Sequence, residues 1–143
     1  MSRIGDIYTA MAAVFNGVSS VGIAYSRPPE VAPNNANLPA AIPEMPEPSE
    51  ITWGTSHDSR VHQVPWTVLV ARDGNLSASL DVIAPVLEAI LTAFQTNQRL
   101  GLSYVYSCTP TSYEIGGYQF MDNSYIGARV MFAVKEKSAV SFS

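Results

Sequence analysis

Apolar side chains at Ile4, Ile7, Tyr8, Met11, Val14 and Phe15 recur three and four residues apart, which sets them on one stripe of a helix. The stripe predicts a helix over 3–16, ended by Gly17. Val21 to Tyr25 then reads as a short strand. From Arg27 to Pro48 the pattern dissolves, because seven prolines stand at 28, 29, 33, 39, 43, 46 and 48, and neither a helix nor a central strand persists through so many missing donors. Inside that stretch Leu38, Ala40, Ala41 and Ile42 are apolar enough for a brief strand at a sheet edge. Residues 43–59 read as a long irregular excursion.

Alternation returns at Val61. His62, Val64, Trp66, Val68 and Val70 form one apolar register, so residues 61–71 are a strand with one buried face, closed by the turn signal Arg72-Asp73-Gly74-Asn75. Leu80, Ile83, Leu87, Ile90, Leu91 and Phe94 next repeat at helical spacing within 76–98. Ser77 or Ser79 is placed to cap that helix, Asp81 suits the positive end of its dipole, and Pro85 predicts a break or bend near Ala84. Two β-rich runs close the chain, 102–113 and 125–135, and Gly116-Gly117 is the expected connection of a hairpin. In the last run Ile126, Ala128, Val130, Phe132 and Val134 share one face, while 136–143 reads as a small polar tail. The predicted order is α, β, β, β, α, β, β in one domain spanning 1–143.

Composition changes this picture in one respect. Hydrophobic residues make up 47% of the 143 and charged residues only 14%, well below the usual quarter, which favours a surface partly covered by partners. The net charge of −4 and the absence of a Lys/Arg-rich window argue against a strong nucleic-acid footprint. Cys108, the one cysteine, excludes an intrachain disulfide framework. The first residues lack the apolar stretch of a signal peptide, and no run approaches the ~20 residues a membrane helix needs, so a soluble protein without a membrane partner is expected.

Candidate chemistry is sparse. His57 and His62, with Asp58 between them, have neither the i, i+4 spacing of a helical zinc site nor alternate positions on one strand face, so both read as ordinary histidines. Cys108 lies between Ser107 and Thr109 without a base, and no serine sits in a Gly-x-Ser-x-Gly turn. No catalytic residue, cofactor or metal is expected, and the chain reads as a non-enzyme. The candidate interaction segment is the Pro-rich excursion. Glu44, Glu47 and Glu50 either solvate it or line a negatively charged channel, and Ile51 and Trp53 either tuck back onto the domain or anchor a partner.

The layout resembles the tail terminator (tail completion) proteins of long-tailed bacteriophages. The likeness rests on the N-terminal amphipathic helix, Tyr25-Ser26-Arg27-Pro28-Pro29 after a short strand, Leu38-Pro39-Ala40-Ala41 after an Asn-rich loop, the strand from Val61 to Ala71, the long helix, and Tyr125-Ile126-Gly127 leading into Val130-Met131-Phe132-Ala133-Val134. It covers nearly the whole chain through element order and short phrases, with no diagnostic motif. It implies an α+β fold in which two helices pack on one face of a mixed, mainly antiparallel sheet. It also implies a hexameric ring in the virion neck, made in the host cytoplasm, that caps the tail tube, ends its polymerisation and meets a head-completion or stopper protein. Genomic DNA would pass through the lumen without specific binding. A head-closure or adaptor protein of the same neck is the nearer alternative, and a small ligand-binding or enzymatic α+β domain the more distant one.

Overall fold

The computed structural model describes residues 3–29, 33, 37–53, 57–72, 76–121 and 123–139, with side chains described except at 3, 47–53, 57–59, 72, 76–79 and 137–139. The fold is α+β. Helix α1 (Arg3–Asn16) leads through β1 (Ile23–Ala24), β2 (Ala40–Pro43), β3 (Glu47–Trp53) and β4 (His57–Arg72) to helix α2 (Leu76–Thr96), and β5 (Val105–Phe120) and β6 (Asn123–Ala139) complete it. The six strands form one mixed sheet in the order β1-β2-β4-β6-β5, with β3 also paired to β4. Only β1 and β2 run parallel among the described residues; the other pairs are antiparallel.

The period-two pattern on β4 and β6 decides where the core sits. Val64, Trp66 and Val68 of β4 and Ala128, Val130, Phe132 and Val134 of β6 are buried in one cluster with Ile7, Met11 and Phe15 of α1 and Ile83, Ile90 and Phe94 of α2. Phe15 touches the rings of Trp66 (centroids 4.6 Å apart), Phe94 (4.9 Å) and Phe132 (6.1 Å), so one aromatic group ties both helices to the two central strands. The opposite register supplies a smaller cluster of Ile42, Leu69 and Tyr125, with Tyr118 and Phe120 packed against it. The Tyr125 hydroxyl donates to the Pro33 carbonyl at 2.9 Å, which ties Pro33 to this second cluster.

Contrary to expectation, residues 43–59 are not one irregular loop, because β3 pairs with β4 from Glu50↔Val61 to Trp53↔Asp58. Ile51, Thr52 and Trp53 are good strand formers, and Pro48 falls inside the register shift between Glu47 and Glu50, where its missing donor interrupts no regular pairing. β2 is not an edge strand; it lies between β1 and β4, and Ala40, Ala41 and Ile42 are all buried.

Helix α2 runs through Pro85 without a break. Ile83, Val86, Leu87 and Ile90 hold both halves in the core, and Pro85 lies on the exposed side, where water can take the place of the lost donor. The helix starts at Leu76, so Ser77 and Ser79 fall inside it rather than at its cap. The Gly116-Gly117 pair is not the hairpin turn. β5 continues through it to Phe120 because Tyr118 and Phe120 keep favouring strand, and the chain turns near Met121, whose φ of 49° is left-handed. The tail expected from Glu136 onward instead extends β6 to Ala139, paired with the first residues of β4.

Candidate functional site

Residues 43–46 turn the chain from β2 toward β3, and Glu44 fixes that corner from three sides. Its amide donates to the Pro65 carbonyl at 3.0 Å, and its own carbonyl accepts the Tyr8 hydroxyl at 2.7 Å. Its Oε2 accepts from Thr67 Oγ1 at 2.9 Å and from Arg129 Nε at 2.8 Å. Helix α1 and strands β4 and β6 therefore converge on one half-exposed residue. Burial, with the Glu44 carboxylate second, pushes the Tyr8 hydroxyl up to about 12, so it remains a donor at any ordinary pH.

Beside this corner runs an open groove of about 490 Å³ between the first turns of α1, residues 26–28 and the 43–46 corner. Ile4, Pro28, Pro43, Met45 and Pro46 make it mainly apolar, with Asp6, Thr9 and Arg27 as polar members. Met45 is 81% exposed and Ile4 43%, unusual for apolar side chains this close together. A second hollow of about 330 Å³ shares Pro28, Pro43 and Glu44 and continues over Leu69, Tyr118 and Phe120 on the other face of the sheet. Pockets of this size suit either a small ligand or a partner's side chains.

Of the candidate interaction residues, Glu44 is placed here, and it has a basic neighbour that its sequence surroundings do not show. Glu47, Glu50, Ile51 and Trp53 belong to β3, and their side chains lie outside the described residues. Glu44→Ala should lower the unfolding free energy by about 1 kcal/mol, since charge-assisted hydrogen bonds are worth roughly 1.5–3 kcal/mol and this pair is about one-third exposed and screened. Urea unfolding at low and high salt checks this; an unchanged midpoint would mean the corner is held by its backbone contacts alone.

The other polar cluster continues the register of Trp66 and Val130 toward the end of β6. Glu136 is 1% exposed, and its Oε2 lies 3.1 Å from His62 Nε2. Its Oε1 is 3.5 Å from Arg60 Nη1, an ion-pair distance rather than a hydrogen bond. His62 is thus a satisfied strand histidine. His57 lies five residues earlier on the same strand, and its side chain falls outside the described residues. Among the described residues no three His, Cys, Asp or Glu side chains gather into a metal site. Cys108 is buried opposite Val134, and burial pushes its thiol up to about 12, far from the thiolate a nucleophile requires.

Glu136, Arg129 and Met45 were not legible as site residues, because their roles arise from pairings across the sheet and from exposure. Compared with known proteins, the chain matches no family model and no curated protein.

Proposed function

We propose that this protein is a structural subunit of a phage virion, forming a ring that caps the tail tube, ends tube polymerisation and joins the tail to the neck. The supporting observation is a charge-poor chain whose exposed large apolar side chains include Ile4 and Met45 at the groove and Tyr113 on the outer strand β5. A subunit covered laterally by its neighbours can leave such side chains outside its own core, whereas a monomer gains nothing from them. The order of elements supports the terminator role over a generic assembly role through the likeness to tail terminators. Tube protein on one side and a head-completion or stopper protein on the other are the expected partners, with DNA crossing the lumen.

The β3 segment remains the proposed contact with those partners through Ile51 and Trp53. An acidic lumen would have to rest on Glu47 and Glu50 more than on Glu44, whose charge Arg129 offsets. Mixing purified protein with tail tube protein and imaging by electron microscopy tests the reading. Rings seated on tube ends and arrested tube growth are expected; binding to the portal side of the neck instead would favour the adaptor alternative. The apolar groove gives some support to a second reading, a ligand-binding domain. A protein that stays monomeric beside tube and portal proteins while taking up a small apolar molecule would establish that reading.

A further inference from the structure

We infer that Glu136 is a register lock: by engaging Arg60 and His62 together it selects one sliding position for the paired ends of β4 and β6, and so fixes where β3 is presented. The lock itself is argued from the geometry of this cluster, and only its consequence for partners rests on the reading of β3 as the contact strand. Such a lock is needed because the core-facing register changes character along the ribbon. Val64, Trp66 and Val68 of β4 face the core with Val130, Phe132 and Val134 of β6, and that apolar fit sets the alignment of the central part. Beyond Val64 and Val134, the described members of the same register are Arg60, His62 and Glu136. Strands without an apolar set to bury are the ones that slip.

Glu136 stands directly opposite Arg60 and diagonally across from His62, which is itself opposite Val134. Its Oε1 is 3.5 Å from Arg60 Nη1 and its Oε2 is 3.1 Å from His62 Nε2, so one carboxylate engages two successive positions on the same face of β4. On its other side Glu136 is paired with Val105 of β5, which is apolar and buried. A slip of one residue would carry Arg60 and His62 to the opposite face. A slip of two that leaves Val64 and Val134 on the core side would set Glu136 opposite Asp58, and like charges directly opposed across a ladder are unfavourable.

The cluster is better suited to alignment than to strength. Arg60 Nε and Glu136 Oε1 are buried with no hydrogen-bond partner among the described residues, and a carboxylate 1% exposed that is only partly paired recovers little of its desolvation. Apolar side chains in its place would support folding as well but would favour no particular alignment. The alignment matters because β3 is paired to this part of β4, from Glu50↔Val61 to Trp53↔Asp58. A two-residue slip would displace β3 by roughly 7 Å along the ribbon.

The double variant His62→Leu/Glu136→Met of the full chain tests this beside Glu136→Gln, whose side-chain oxygen still accepts from both neighbours. Arg60 is 39% exposed and can turn to water in the double variant. Cross-strand backbone NOEs report the register. The wild type and Glu136→Gln should show one set of signals, with Val61 against Lys135 and Gln63 against Ala133. The double variant should keep the wild-type unfolding midpoint yet show a second set, with Val61 against Ala133. A double variant with the wild-type pairing alone would overturn the lock, because the register would then be set elsewhere. A double variant that fails to fold while Glu136→Gln folds would also overturn it, since the cluster would then be a source of stability. A slipped double variant that binds tail tube protein as well as the wild type would leave the lock standing and overturn the reading of β3 as the contact.

Discussion

Phe15→Ala should lower the unfolding free energy by about 3–5 kcal/mol, the usual cost of deleting a fully buried phenyl ring. Phe15 has no exposed surface, and it is the one side chain of α1 in ring contact with both α2 and the two central strands. Its removal leaves Trp66, Phe94 and Phe132 facing a void. Phe94 and Phe132, with centroids 4.5 Å apart, already pack on each other and can collapse only partly into that space. For a chain of this size the loss corresponds to a fall in Tm of roughly 10 °C or more. Thermal melts of Phe15→Ala beside Phe15→Leu check the account. The leucine variant keeps most of the buried volume and should lose less than half as much. Equal losses would indicate that ring geometry rather than volume holds the helix.

Much of this packing was legible in the chain. The spacing of Ile7, Met11 and Phe15 places α1 within 3–16, and the alternation through Val64, Trp66, Val68 and Val70 marks the buried face of β4, because burial in a core imposes those periods directly. The ends of strands were not legible. β6 continues through Glu136 because that carboxylate meets His62, 74 positions away, and such a pairing leaves no local trace. Glu44 and Arg129 are 85 positions apart, so the corner they build reads in sequence as an isolated acid in a Pro-rich loop. Prolines misled at β3 for a different reason. They forbid regular pairing only where a donor is needed, and at the irregular step beside Pro48 none is. The glycine pair at Gly116-Gly117 misled in the opposite direction, since glycine permits a turn without requiring one.

Glycine is required at one position nearby, and a paired substitution should show it. Gly127 lies in β6 opposite Leu69 of β4 and Gly116 of β5. A Cβ added at Gly127 would stand 1.9 Å from the Val68 carbonyl oxygen, 3.0 Å from its carbon and 3.2 Å from the Leu69 Cα. All three are backbone atoms, so no side-chain rotation relieves the overlap, and β4 and β6 must separate at the step where the register shifts between Leu69 and Ala71. That separation would strain the central pairing beneath buried Tyr125 and Leu69. Gly127→Ala should therefore cost about 3 kcal/mol or more, at the upper end for overpacking. Gly116→Ala is the control. Its Cβ would meet nothing within 4 Å, and alanine restricts the unfolded chain more than glycine, so the change should be neutral or stabilise by up to about 1 kcal/mol. The two substitutions are chemically identical and sit opposite each other on adjacent strands. Opposite signs in denaturant unfolding would tie the Gly127 requirement to the close approach of β4; equal destabilisation would mean that both glycines serve the twist of the hairpin instead.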